Sequence, residues 1–140
     1  MTVKRCLTTL PVVDLNIYVD ASTSWGIGLC VGGLWAVWRL VSGWNTGGQD
    51  IGWAEAVALE LAAMWLAETD RHDMSVVIHS DNKGVIDAFN KGRSRNLHRN
   101  DCIRQISLLL AISNISVVPV FVPSCLNKAD SCHELTIFTT

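Results

Sequence analysis

Apolar and polar positions alternate from Asp14 to Asp20, with Leu15, Ile17 and Val19 set against Asn16, Tyr18 and Asp20. A period of two predicts a strand with one buried face. The polar, small-residue stretch Asp20-Ala-Ser-Thr-Ser24 ends it. Trp25–Val31 and Leu34–Val41 read as two further strands, joined by the hairpin signal Gly32-Gly33. Three strands with short turns predict an antiparallel meander. Ser42–Asp50 is a glycine-rich loop, and beyond it the period changes. From Gly52 or Trp53 to about Glu68 alanine and leucine dominate and no proline intervenes, which predicts a helix with Asp50 as its cap or first-turn acid. Leu59, Ala62, Ala63 and Leu66 share a helical face with Glu55. Glu55 is therefore expected on the buried stripe, in the first turn, whereas Glu60 and Glu68 read as surface acids.

Ser75–Ile78 is a β-branched, apolar run too brief for a helix, and Asp81 falls at its carboxyl end. Asn82-Lys83-Gly84 turns the chain into the helical pattern Val85–Phe89, which ends around Asn90–Gly92. Another helix runs from about Asn100 to Ser113-Asn114. Ser116–Val122 reads as the last strand, with Pro119 marking an edge position or a bulge. Pro123–Asp130 is a loop leading into a short helix. Three antiparallel strands followed by strand–helix units predict an α/β fold, a mixed sheet flanked by helices.

Length and composition add bounds. The 140 residues suit one domain, and 49% hydrophobic content is enough for a core. No apolar run approaches the ~20 residues of a membrane span, so no membrane partner is expected. Met1–Pro11 lacks the continuous apolar run of a signal peptide. The 5 cysteines are odd in number and form no CxxC, which points to a reducing, intracellular setting, cytoplasm or nucleus. Cys125, Cys132 and His133 fit no common zinc spacing. Most of the 6 tryptophans are expected in the core, with Trp44 placed in its loop for sugar or base stacking. His79 is expected to point to solvent or the far face, and Asp14 reads as a surface acid. The formal net charge is −2, yet Lys91, Arg93, Arg95, Arg99 and Arg104 crowd one short stretch opposed only by Asp101. Such a patch neutralises several phosphates even on an acidic protein.

Four carboxylates stand where chemistry is expected. Asp20 and Asp81 end strands, Glu55 opens a helix on its sheet-facing side, and Asp130 follows the last strand. Ligands of open α/β sheets collect outside the carboxyl ends of the strands. Clustered buried carboxylates are costly unless cations neutralise them, and oxygen-only ligation suits Mg²⁺ or Mn²⁺. Two such ions ~3.5–4 Å apart activate water for attack on a phosphodiester.

Tyr18-Val-Asp20-Ala-Ser, Trp53-Ala-Glu55, Ser80-Asp81-Asn-Lys-Gly-Val and Val122-Pro-Ser-Cys-Leu-Asn127-Lys-Ala-Asp130 resemble, in order, the four catalytic blocks of a ribonuclease H domain. The chain is most similar in flavour to the reverse-transcriptase-linked ribonuclease H of fungal LTR or DIRS-type retrotransposons. Asp50–Glu55 and Lys91–Asn96 resemble blocks of such elements, and the resemblance covers roughly residues 14–132. It implies a five-stranded ribonuclease H-like sheet, with residues 1–140 a single domain and 1–13 a loose lead-in. It further implies two Mg²⁺ ions, with Mn²⁺ able to substitute, held by Asp20, Glu55, Asp81 and Asp130 as catalytic residues. The implied reaction is hydrolysis of the RNA strand of an RNA/DNA hybrid, beside a reverse transcriptase domain of the same polyprotein. Asn82 and Lys83, opening a helix after Asp81, and Lys91, Arg93, Arg95 and Arg99 are the expected nucleic-acid contacts. The loop Pro123–Lys128 lacks the histidine of cellular ribonucleases H, and Lys128 stands where retrotransposon members often carry proline. A second reading therefore stays open at this level: a catalytically degenerate module of the same fold that binds nucleic acid or partners. A third keeps fold and metals but cuts another nucleic acid.

Overall fold

The strand that opens the alternating pattern, β1 (Val12–Ser22), lies in the middle of the sheet. The computed structural model describes residues 10–94 and 96–129. After β1 come β2 (Gly26–Val31), β3 (Leu34–Trp38), α1 (Ile51–Ala67), β4 (Met74–Ser80), α2 (Lys83–Lys91), α3 (Leu97–Ala111) and β5 (Ile115–Phe121). The sheet order is β3-β2-β1-β4-β5. β1–β2 and β2–β3 pair antiparallel, β1–β4 and β4–β5 parallel. This is the mixed five-stranded sheet that the patterns predict.

Alternation along the central strands sends Ile17, Val19, Leu29, Val76 and Ile78 to one face of the sheet. There they meet Leu59, Ala62, Ala63 and Leu66 of α1, with Ile106 and Leu110 of α3 in the same core. The alanines let α1 lie close to the strands, and each large aliphatic buried here contributes roughly 1.5–3 kcal/mol of transfer free energy. Tyr18, Cys30, Val37 and Ala129 form a smaller cluster apart from this core.

Several boundaries differ from the patterns, each for a physical reason. β1 begins at Val12 rather than Asp14 because a bulge absorbs two residues: Asp14 pairs with Val77, and the next partners are Ile17 and Ile78. Asn16 sits in the bulge at φ 57°, its N–H on Asp14 Oδ1 at 2.9 Å, a conformation asparagine tolerates better than most residues. β3 stops at Trp38, not Val41, because Trp38 pairs with Ile27 and the antiparallel partner β2 begins only one residue before that, at Gly26. α3 starts at Leu97, three residues early, because Asn96 Oδ1 caps it through the Arg99 N–H at 3.1 Å. Pro119 does lie on an edge strand. The Val122 N–H donates to Ser80 O at 2.9 Å, so by alternation Pro119 would point its missing donor to the open edge, which blunts that edge against a further strand.

The tryptophans line the edge of the core rather than fill it. None of the six is fully buried, but Trp38, Trp44, Trp53 and Trp65 are half-buried against the main core and Trp25 against the smaller cluster, while Trp35 is 39% exposed. Trp44 stacks on Trp53 with centroids 5.8 Å apart. Small and aliphatic residues occupy the core face of α1, leaving the large rings to its flanks. Glu60 is no ordinary surface acid either. It is half-buried beside Cys102 of α3, and burial raises its carboxyl above the usual range.

Gly26 has φ +116°, and a Cβ there would run into the Trp38 carbonyl oxygen. Gly26→Ala should cost at least about 2 kcal/mol from backbone strain and overpacking. Thermal unfolding reads this as a lower midpoint; an unchanged midpoint would show that the β2–β3 contact gives way freely.

Candidate active site

Parallel register brings the first two carboxylates together. Val19 of β1 pairs with Ser80 of β4, so Asp20 and Asp81 follow on adjacent strands whose spacing is ~4.8 Å. α1 supplies the third. Asp50 Oδ1 accepts the Trp53 N–H at 2.8 Å and starts the helix at Ile51. Glu55 therefore lies one turn in, not in the first turn as the pattern suggests, and it does face the sheet. One oxygen each from Asp20, Glu55 and Asp81 lie within 4.8 Å of one another.

Burial makes this grouping electrostatically unusual. Asp20 and Glu55 are each 5% exposed, and Asp81 is half-buried. Asp20 Oδ1 accepts the Ala21 N–H at 2.9 Å. Glu55 Oε2 is buried with no hydrogen-bond partner. Burial first, then the charges of Asp20 and Asp81, push the Glu55 carboxyl from 4.5 up to about 9. A proton thus occupies Glu55 where the surroundings call for positive charge. Three clustered carboxylates, one of them with a buried oxygen that has no hydrogen-bond partner, fit a hard divalent cation.

The three acids share a cleft of about 520 Å³ with Ser22, Thr23, Trp25, Ile51 and Ser124 on its rim. The sequence reading does not single out these rim residues. Ser124 has no periodic signal, and only the short 3₁₀ turn Ser124–Leu126, after Pro123, brings it to the acids. Asp130, Arg95, Cys132 and His133 lie outside the described residues.

The expected nucleic-acid residues fall into two groups. Asn82 caps α2, its Oδ1 accepting the Val85 N–H at 2.9 Å. Lys83 is exposed, with Nζ 4.7 Å from the Phe121 ring centroid. Both stand just past Asp81. Lys91, Arg93 and Arg99 line a separate cleft of about 470 Å³ with Ser94 between α2 and α3. Arg99 is only partly free for a phosphate. It lies 3.8 Å from Asp50 Oδ1 and packs on Gly52, with its Nε buried and unpartnered. Arg104 lies elsewhere on α3 and is not part of this cleft's lining.

His79 lies on the far face, stacked on Tyr18 with centroids 4.4 Å apart. Its Nε2 is 3.2 Å from the Asp14 carboxylate, so Asp14 is paired and not a bare surface acid. The Asn16 N–H first, then His79, holds the Asp14 carboxyl below its ordinary range.

No protein-family model matches the sequence, and no curated protein matches it. Among solved structures, the crystal structure of RNase H1 from the halophilic archaeon Halobacterium salinarum NRC-1 is similar, with a TM-score of 0.63 at 17% sequence identity over 86% of this chain and 93% of that one. Among the described residues no helix is long and apolar enough to cross a membrane. The chain thus has a ribonuclease H-like fold, with a cluster of three carboxylates at the strand ends that suits metal ions.

Proposed function

We propose that the protein is a metal-dependent endoribonuclease that hydrolyses the RNA strand of RNA/DNA hybrids, working within a retroelement's reverse-transcription machinery. The observation that carries this reading is the meeting of Asp20, Glu55 and Asp81, with one Glu55 oxygen buried and unpartnered, at one end of the sheet of a ribonuclease H-like fold. Asp20, Glu55 and Asp81, with Asp130 beyond the described residues, would hold two Mg²⁺ ions, for which Mn²⁺ would substitute. Such ions, when bound, supply a nucleophile at neutral pH and neutralise charge on the attacked phosphodiester. The chain's own part is to place the carboxylates and the hybrid. Ser22, Thr23 and Ser124 bring hydroxyl side chains to the cleft that holds the acids, and Trp25 and Ile51 give it an apolar wall. The retroelement setting rests on the sequence blocks alone, as does a reverse transcriptase domain of the same polyprotein as partner. An intracellular location rests on the cysteine pattern, and a single domain over residues 1–140 on length.

The direct test is an end-labelled RNA/DNA hybrid in Mg²⁺ and in Mn²⁺, beside duplex DNA and duplex RNA. Cutting confined to the hybrid is expected. Binding without cutting in either metal would instead support the degenerate module.

Asn82, Lys83, Lys91, Arg93, Arg95 and Arg99 hold the nucleic-acid backbone in this reading. Replacing Lys91 and Arg93 with alanine should weaken hybrid binding at low salt and flatten its salt dependence, by up to about 0.9 in log–log slope per charge removed. Titrations at several salt concentrations check this, and an unchanged slope would remove these two side chains from the interface.

A further inference from the structure

Arg99 reaches from α3 into a notch in α1. Gly52, the second residue of α1, is buried. A Cβ there would run into Nη2 of Arg99, and the next nearest atoms are Cζ and Nε of the same side chain. The guanidinium thus lies where a side chain at position 52 would begin. Packing rather than hydrogen bonding holds it. Its Nε is buried without a partner. Asp50 Oδ1, 3.8 Å from Nη2, is beyond hydrogen-bond reach and already accepts the Trp53 N–H. The side chain keeps 21% of its surface open, and a planar fork of donors suits phosphate. Its place matters as much as its charge. Arg99 lines the basic cleft with Lys91 and Arg93, whereas Ile51 and Glu55, on either side of Gly52 in α1, line the acid cleft. Where β4 gives way to α2, Asp81 lines the acid cleft and Gly84 the basic one. The two clefts therefore adjoin, and Arg99 stands at their border.

We propose that Gly52 is a positioning residue: by leaving room for the guanidinium, it seats Arg99 at the border of the two clefts, where Arg99 holds a backbone phosphate of a strand that runs from one cleft into the other. This rests on the hybrid-binding reading above. The plain alternative is a small residue that only lets α3 pack on α1. The two differ in whether the effect of Gly52 on binding passes through Arg99.

The test is titration of a dye-labelled RNA/DNA hybrid in EDTA, which withholds the metal and keeps the hybrid whole, at several salt concentrations, on the wild type, Gly52→Ala, Arg99→Ala and the double variant. Alanine is the better helix former, and the atoms that must give way are the far end of a flexible side chain, so Gly52→Ala is expected to fold. Losing a charge-assisted contact costs about tenfold in affinity. Gly52→Ala should therefore bind about tenfold more weakly at low salt, lose as much log–log salt slope as Arg99→Ala, up to about 0.9, and add nothing once Arg99 is gone. Wild-type affinity or slope in either single variant, or a further loss in the double variant, would overturn the proposal. If thermal melting shows Gly52→Ala unfolded, Arg99→Lys takes its place: the charge is kept and the flat fork lost, the same weakening is expected, and wild-type affinity would overturn the proposal. Failure of the wild type itself to bind the hybrid would overturn the hybrid reading and this one with it, and is told apart because no variant is needed to see it.

Discussion

Asp81→Asn is expected to bind an RNA/DNA hybrid at least as well as the wild type and to cut it at least about 10³-fold more slowly. The rate follows from charge. Metal clamps on a phosphodiester supply several kcal/mol of transition-state stabilisation, and ~4 kcal/mol is a factor of 10³. Asp81 follows Ser80, the register partner of Val19, and so comes close to Asp20, and its charge also raises the Glu55 carboxyl. In the proposed reading, losing it removes a metal ligand and one reason for cations to gather. Binding should survive because Asp81 is only half-buried, its replacement nearly isosteric, and the change makes the cleft less repulsive to phosphate. Gel-shift titration and single-turnover cleavage in Mg²⁺ and Mn²⁺ measure the two effects separately. Wild-type cutting by the variant would remove this carboxylate from the chemistry.

Glu55→Gln should make the metal-free protein more stable while destroying its use of metal. In the folded state the Glu55 carboxyl is raised to about 9, against 4.5 when exposed. Between those values the unfolded chain is the one that has released the proton, so stability falls as pH rises from about 4.5 to about 9. At pH 7 the penalty amounts to about 3 kcal/mol, or on the order of 10 °C in midpoint for a chain of this size. Glutamine carries no such penalty, and its amide has Asp20 as a hydrogen-bond acceptor. Thermal melts in EDTA should show the variant above the wild type at pH 7, the gap closing toward pH 4.5. Added Mg²⁺ should reverse the order, because the cation stabilises only the carboxylate form. Binding should also release about one proton at pH 7, read by calorimetry in buffers of different ionisation enthalpy. A wild type whose stability does not depend on pH over this range would show that Glu55 is not held protonated.

How much of this was legible in advance varies with the range of the interactions. The strand that carries Asp20, the strand end just before Asp81 and the buried stripe through Glu55 follow from periodicity, a property of neighbouring residues, whereas the run of β1 past Asp20 to Ser22 does not, because it depends on pairing with β2. The α1 cap at Asp50 was legible for the same reason. The end of β3 was not, because the pattern of residues 34–41 says nothing about where the partner strand stops. That most tryptophans pack against the core was legible from their apolar character, but that they do so from its edge was not, because composition does not say how much room an alanine-faced helix leaves.

By itself, then, the sequence determined the kinds and order of the elements and which acids they would carry near their ends, because strand and helix periods are written locally. Tertiary structure alone decided that Asp20 and Asp81 sit side by side, that one oxygen of Glu55 is orphaned and its proton held to about pH 9, that Ser124 joins the cleft, and that Asn127 bonds to Val19. Each of these depends on register, burial or contact between residues far apart in the chain. Charge repulsion and desolvation act through space, so they exist only once the fold has brought the groups together.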